Sequence, residues 1–202
     1  MTTLSELINQ VCDDLNRDDL TAQCSDAVVM AIRHFDRKRW WFAEGSQTFT
    51  TTASVSVYPL ASNFRSMDYA EAQWPGENWH ELRPRTLAEI KLMNQGQTTT
   101  GYPSDFAIYD QAMHLAYTPG GAYVVRYYYQ KSLSDLTANG SNEWTTDCKD
   151  LVRAHAARTV AMRTLHDMEL ASAMATIESE EMTRLLDEND RRTSTGFARP
   201  RY

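Results

Sequence analysis

The sequence predicts an α+β protein in which helices from both ends of the chain form one bundle around an inserted antiparallel β region. Apolar residues recur every three or four positions near both termini, as in amphipathic helices. Between them the period changes to two, and Thr, Val and aromatic residues become frequent, which is typical of strands. We therefore predict a helical bundle from 1–44 and 145–192, a β-rich region with one short helix at 45–144, and a C-terminal tail at 193–202.

The first 44 residues predict two helices. The first helix has an apolar stripe, and Thr3 and Glu6 have the spacing of a capping box. The tripeptide 16–18 predicts a break before a second helix over 19–39. That helix leads into a basic and aromatic cluster at 37–42, which either stacks on nucleic acid or anchors the helix end in the core. The residues of the first stripe are Leu4, Leu7, Ile8, Val11 and Leu15.

The β region predicts two hairpins, one from segments 47–51 and 54–58 and one from 112–117 and 123–129 around the turn at 118–121. Weaker strands are predicted at 67–73 and 79–83, joined by Pro75-Gly76, followed by a short helix at 86–94 and a polar loop at 133–142. In the last strand the alternation predicts one face with Tyr123, Val125, Tyr127 and Tyr129, and another with Val124, Arg126 and Tyr128.

The helix predicted over 146–166 has two opposite apolar faces. Leu151 and Ala154 lie on one face, whereas Val152, Ala156 and Val160 lie on the other. An outer helix of a small bundle needs only one apolar stripe. The helix is therefore either central in the bundle or packed against a second subunit, with Val152, Ala156 and Val160 as candidate interface residues.

The last predicted helix, 168–192, is about 37 Å long at about 1.5 Å per residue. Glu178 and Glu181 fall within its wide apolar arc, and unpaired carboxylates are costly to bury. Either the helix extends into water there, or a partner supplies matching cations. The basic end that follows, with Arg191, Arg192, Arg199, Arg201 and Tyr202, is either a solvated tail or a docking arm that becomes ordered on binding.

The charge, the cysteines and the apolar runs of the sequence argue against several classes of protein. A net charge of -7 and a pI near 5.2 argue against a general basic surface that grips nucleic acid. Cys12, Cys24 and Cys148 form no close pair in the sequence, so we expect buried apolar fillers in a reducing compartment. The first residues do not resemble a signal peptide, and no apolar run is long enough for a membrane span.

The sequence contains no recognisable catalytic or metal-binding motif, so no metal and no cofactor is expected. None of the five histidines forms a His-Glu-x-x-His pair or has a cysteine at zinc-ligand spacing. Gly120 and Gly121 lie in a predicted hairpin turn and not before a helix, as a phosphate loop requires. Glu44 is the carboxylate that we consider for a glycosidase-like acid pair, which makes a wall-degrading hydrolase the enzymatic alternative.

Several segments stand in a recognisable order along nearly the whole chain. They are 4–17, 31–44, Tyr58-Pro59-Leu60 with Phe64, 82–90, 101–109, 144–154 and Arg191-Arg192-Thr193. In order and spacing they resemble the head-to-tail adaptor (connector) family of tailed phages. Pro59 and Leu60 are transposed relative to the family pattern.

The resemblance implies a structural protein of the virion neck, assembled in the host cytoplasm. It implies a homo-oligomeric, dodecameric ring beneath the portal protein that contacts tail or nozzle proteins and lets double-stranded DNA pass without sequence-specific binding. It also implies a C-terminal segment that docks on the portal. The candidate portal-docking residues are Glu178, Glu181, Arg191, Arg192, Arg199, Arg201 and Tyr202. A stopper or tail-completion protein is the alternative neck component, and some similar adaptors are said to hydrolyse peptidoglycan.

Overall fold

The computed structural model describes residues 1–95 and 100–193 and confirms the predicted α+β class. The described residues form five α-helices and two four-stranded sheets. The chain divides into a helical unit, Met1–Phe42 with Leu133–Tyr202, and a β-rich unit, Ala43–Ser132. Segment 133–144, which the sequence prediction placed in the β region, thus belongs to the helical unit.

The N-terminal helices begin as their local sequence dictates. Helix α1 (Leu4–Asp14) starts at the predicted capping box, in which the Thr3 hydroxyl accepts the backbone N–H of Glu6 and the Glu6 carboxylate accepts that of Thr3. A 3₁₀ turn (Asp18–Leu20) follows the predicted break and leads into α2 (Thr21–Phe35). Helix α2 ends four residues earlier than predicted, because the chain turns back and the indole N–H of Trp40 donates to the Phe35 carbonyl at 2.8 Å.

Helix α4 (Lys149–Val160) is central in the helical unit, where it packs against α1, α2 and α5 (Met168–Thr193). The predicted helix over 146–166 is interrupted after Val160 by a π-helical turn, Ala161–Leu165. His166 ends this turn in the left-handed conformation, with φ 56°. The change of direction at His166 lets α5 return along α4.

An aromatic cluster holds segment 133–144 in the helical unit. The Trp144 ring lies edge-on to the rings of Trp40 and Phe42 and stacks on Phe35, and its indole N–H donates to the Asp36 carboxylate at 3.2 Å. Asp36 also accepts the backbone N–H of Leu133, at 3.2 Å to Oδ2. Trp40 and Trp144 are fully buried. The burial of Trp40 confirms that this residue of segment 37–42 anchors the end of α2 in the core.

The β-rich unit contains two sheets. The first has the order β1 (Glu44–Thr50), β8 (Val124–Lys131), β3 (Phe64–Gln73) and β4 (Trp79–Glu81), all antiparallel. The second has the order β2 (Val57–Pro59), β7 (Ala112–Ala116), β6 (Asp105–Tyr109) and β5 (Arg83–Pro84), in which only the β5–β6 pair is parallel. Buried side chains from both sheets form a common core.

Both predicted hairpins are wrong, because their arms belong to different sheets. Strand β1 pairs with β8 while β2 pairs with β7, and the predicted turn at 118–121 carries the chain from the second sheet to the first. The second sheet instead contains a hairpin of β6 and β7. Its turn residues Asp110 and Gln111 both have positive φ, 50° and 55°. Two-residue hairpin loops commonly require this conformation. The two weaker strands joined by Pro75-Gly76 do pair, as β3 and β4.

Alternation along β8 separates core from surface as predicted. Val125, Tyr127 and Tyr129 are buried, whereas Arg126 and Tyr128 lie on the outward face of the first sheet. Helix α3 (Leu87–Asn94) has a second capping box, formed by Thr86 and Glu89, and covers part of the outer face of the second sheet through Ile90.

Replacing Tyr127 with phenylalanine is expected to lower the free energy of unfolding by about 1–3 kcal/mol. The buried hydroxyl donates to the Gln47 side chain at 2.7 Å and accepts the backbone N–H of Ala61 at 2.9 Å. Phenylalanine leaves that N–H without its partner in the core. Urea unfolding measures the change.

Tyr128→Phe is the matched control for this prediction. It removes a hydroxyl from a side chain on the outward face of the sheet, which is 37% exposed. Substitutions of this kind usually change stability by less than about 0.5 kcal/mol. Equal losses in the two variants would contradict the prediction.

The cysteines are expected to resist thiol reagents in the folded protein. All three are free and buried, and burial is the main factor that raises the pKa of Cys148 and of Cys24 to about 12. A thiol in the unfolded chain ionises at about pH 8.5. The stability gained by keeping these thiols protonated is therefore present below about pH 8.5 and is lost as the pH rises towards 12.

A disulfide reagent at about pH 8 should react with no cysteine until urea is added, because all three thiols are buried. Fast labelling of the native protein would contradict this.

Candidate interaction surfaces

Helix α5 exposes most of its length. Among its residues only Ala171 and Leu185 are buried, whereas Met168, Ile177 and Leu186 are 64%, 44% and 38% exposed. The wide apolar arc predicted for this helix is thus only partly covered by its own chain. Large apolar side chains exposed on a long helix provide area for contact with another protein.

Glu178 lies where α5 packs on α4 and is paired within the chain. Its Oε1 is 2.8 Å from Nδ1 of His155, and its Oε2 is 3.1 Å from Nε of Arg158, too poorly aligned for a hydrogen bond but close enough for an ion pair. The His155 ring stacks on His34 at 5.3 Å. Burial, and then the neighbouring His155, lower the pKa of His34. A matching cation for Glu178, Arg158, is therefore supplied by α4 itself.

Replacing Glu178 with glutamine is expected to destabilise the helical unit by about 1.5–3 kcal/mol, the usual contribution of hydrogen bonds to charged groups. The amide cannot neutralise Arg158 and removes the carboxylate oxygen that lies 2.8 Å from His155, and only 15% of the Glu178 side chain is exposed. Far-UV circular dichroism during urea unfolding measures the loss.

Asp190→Asn, at an exposed position on the same helix, is the matched control. Exposed substitutions away from specific contacts usually stay within about 0.5 kcal/mol of the native protein, and we expect the same here. A control that loses as much stability as Glu178→Gln would contradict the assignment.

The remaining described docking candidates lie farther along α5. Glu181 is paired with Arg184 one turn later. Arg192 contacts Glu188 at 2.6 Å and lies 4.9 Å from the centre of the Trp41 ring, which fixes it against the end of the helical unit. Arg191 is exposed and has no hydrogen-bond or ion-pair partner among the described residues. The other three candidates, Arg199, Arg201 and Tyr202, lie outside the described residues.

The candidate interface residues of α4 are core residues. Val152 and Ala156 are 0% exposed and Val160 is 2% exposed within the single chain. They offer no surface to a second subunit, so the interface assignment is corrected. The alternative considered from the sequence, a central helix covered on both sides, accounts for its two apolar faces because α1, α2 and α5 all pack on it.

A second surface lies on the outward face of the first sheet and was not identified from the sequence. Arg126 pairs with Glu71 on the neighbouring strand at 2.7 Å, and its guanidinium lies 4.2 Å from the centre of the Trp79 ring. Tyr69 and Tyr128 continue this face, 40% and 37% exposed. Tryptophan, tyrosine and arginine are enriched at protein interfaces. The predicted alternation of β8 already placed Arg126 and Tyr128 together, but the register that adds Trp79 and Tyr69 could not be read from the sequence.

The described residues were also compared with the requirements of a catalytic acid and of a metal site. Glu44 is exposed at the first residue of β1. In the described part of the chain, no three His, Cys, Asp or Glu side chains come close enough together to hold a metal ion. Over the same residues, no helix is long and apolar enough to cross a membrane.

The chain matches one known protein family over nearly its whole length. A model described as SU10 adaptor protein matches residues 2–201. The chain belongs to this family of phage head-tail adaptors. A search of curated proteins found no match. Membership in the adaptor family confirms the resemblance identified from the sequence. It also indicates a structural phage protein of the virion whose exposed surfaces contact other head and tail proteins.

Proposed function

We propose that this adaptor forms a closed ring that joins the portal vertex of a phage head to the tail and surrounds the path of the genome. The match to the adaptor family over residues 2–201 carries the proposal. The family resemblance implies a dodecamer. The ring is built in the host cytoplasm and meets the portal protein on one side and tail or nozzle proteins on the other.

The charge of the chain supports a conduit for DNA. A ring of subunits with net charge -7 repels the phosphate backbone, whereas a basic lumen would bind the duplex and slow its passage. Double-stranded DNA would then pass without sequence-specific contacts. Arg126 is paired with Glu71 and Arg192 with Glu188, which offsets the attraction of these two cations for phosphate.

The C-terminal end of the chain is the proposed portal contact. Arg191 is exposed at the end of α5, Glu181 and Arg192 lie on the same helix, and Arg199, Arg201 and Tyr202 follow in the sequence. Arginine and tyrosine carry much of the binding energy in many protein interfaces. We assign Glu178 to the internal contact with α4 rather than to the portal, because its two carboxylate oxygens already face His155 and Arg158.

The test combines the purified portal protein of the same phage with this adaptor, followed by negative-stain microscopy and mass photometry. The expected result is a ring of adaptor subunits on the tail-facing end of the portal, with a mass that gives the number of subunits. A compact monomer that binds the tail proteins and not the portal would contradict the proposal and identify a different neck component, such as a stopper or tail-completion protein.

A further inference from the structure

The outward face of α5 carries carboxylates that no described cation neutralises. Glu169, Glu180 and Asp187 are exposed and have no hydrogen-bond or ion-pair partner among the described residues. Residues 180 and 187 are seven apart, which places them on the same side of the helix. Ile177 lies three residues before Glu180 with 44% of its surface exposed. Helix α5 packs on α4 with its opposite side, where Ala171, Glu178 and Leu185 lie, so this face is open.

The outward face of α2 has the opposite charge. Met30 is 48% exposed. Arg33 is exposed one turn later on the same side of the helix, and Arg37 follows another turn later, just past the end of α2. Neither arginine has a hydrogen-bond or ion-pair partner within residues 1–95 and 100–193. Helix α2 packs on α1 and α4 through its buried residues, so this face is exposed; at one side of it, Arg33 lines a hollow with Leu4 and residues 134–137.

The two faces match in spacing as well as in charge. On α2 an exposed apolar side chain, Met30, precedes a cation, Arg33, by three residues. On α5 an exposed apolar side chain, Ile177, precedes an anion, Glu180, by the same three residues. Two such helices that run in the same direction can pack the apolar side chains together and place the opposite charges side by side. Complementary charges of this kind fix the register of an interface and exclude wrong pairings.

Three side chains on the same sides of the two helices have the other sign. Asp26 lies one turn before Met30 on α2, and Arg191 lies one turn after Asp187 on α5. Arg184 lies between Glu180 and Asp187, and the register that pairs Arg33 with Glu180 places it opposite Arg37; its ion pair with Glu181 offsets its charge there. The centres of the faces, around Arg33 and Glu180, therefore keep their opposite signs.

We propose that the α2 face (Met30, Arg33 and Arg37) of one subunit binds the α5 face (Ile177, Glu180 and Asp187) of the next copy of this chain. The inference rests on the proposed ring. Two different faces of one subunit make a heterologous contact, which repeats around a ring when its rotation closes. The contact accounts for the open length of α5 and gives the cations at the end of α2 an acidic partner.

Charge reversal tests the pairing of the two faces. Glu180→Lys with Asp187→Lys on one chain, and Arg33→Glu with Arg37→Glu on another, should each weaken ring formation by about tenfold or more, since like charges then meet. Mass photometry of the adaptor alone and with portal measures ring formation. A chain that carries all four reversals restores opposite charges between copies, so it should form rings again. Asp18→Lys with Glu81→Lys changes the net charge by the same amount as the α5 reversal, at exposed positions off both faces, and should leave ring formation unchanged.

A crosslink tests the register. With Met30→Cys and Ile177→Cys on one chain, mild oxidation should give a ladder of disulfide-linked multimers, whereas either single variant gives none beyond a dimer because the three native cysteines are buried. The inference is overturned, and the proposed function stands, if the native adaptor forms rings on the portal but the charge reversals do not change ring formation and no ladder of multimers appears. If the native chain forms no ring with or without portal, both are overturned.

Discussion

Replacing Trp144 with alanine is expected to lower the free energy of unfolding by about 3–5 kcal/mol, the largest single effect that we predict for stability. The ring is 0% exposed and contacts the rings of Phe35, Trp40 and Phe42. Its truncation leaves a cavity where these three side chains meet. It also removes the indole N–H that donates to Asp36, the carboxylate that holds the backbone of Leu133.

Circular dichroism during urea unfolding measures this loss, and Trp79→Ala is the matched control. Trp79 lies on the outward face of the first sheet, where its truncation removes a cation–π contact with Arg126. Cation–π contacts at exposed sites contribute about 0.5–1 kcal/mol. A loss in Trp144→Ala no larger than in Trp79→Ala would mean that the aromatic cluster does not organise the helical unit as its geometry indicates.

The sequence predicted local structure well where local chemistry determines it. The capping box at Thr3 is a property of four consecutive residues, and α1 begins there as predicted; α3 begins at Leu87, within one residue of the predicted start of the short helix. The alternation along β8 also needs no partner, since buried and exposed side chains differ in kind along the strand itself. The apolar residues of α5 recur with the helical period of 3.6 over many turns, and the helix likewise matches its predicted bounds within one residue.

Strand pairing could not be predicted in the same way. The turn at 118–121 contains proline and two glycines and favours a hairpin, but a short connection can also pass from one sheet to another. Strands β7 and β8 lie in different sheets because each buries its apolar side against the core shared by both. The hairpin that does form turns at Asp110 and Gln111. Asp-Gln is not one of the dipeptides, such as Asn-Gly, that predict a two-residue hairpin turn most strongly. Pairing is therefore determined by the tertiary core, which no short window of sequence contains.

The candidate site shows the same division between local and long-range information. The sequence identified Glu178 as a carboxylate in an unexpected position, yet the side chains that contact it, His155 and Arg158, lie on a different helix. The two apolar faces of α4 were also correctly recognised, but only the packing of three helices on it assigns Val152, Ala156 and Val160 to the core. Amphipathic pattern alone does not distinguish a neighbouring helix of the same chain from one of another chain.

Deleting residues 194–202 is expected to weaken binding to the portal by about tenfold or more, a loss of at least about 1.4 kcal/mol of binding free energy. The deletion removes Arg199, Arg201 and Tyr202 and retains Thr193, whose hydroxyl donates to the Asn189 carbonyl at 2.7 Å in the last turn of α5. The free energy of unfolding should change by less than about 0.5 kcal/mol. Surface binding to immobilised portal, with urea unfolding in parallel, measures both quantities.

A full-length variant with Arg199→Gln and Arg201→Gln separates charge from the other contacts of this segment. If cations dominate portal docking, this variant should bind as weakly as the deletion, and the difference from the native adaptor should shrink at high salt, because screening weakens exposed charge pairs. If the variant binds like the native protein and the deletion does not, the contact depends on Tyr202 or on the backbone of the segment. Unchanged binding in both would remove 194–202 from the interface and leave the exposed end of α5, with Glu181, Arg191 and Arg192, as the surface that meets the portal.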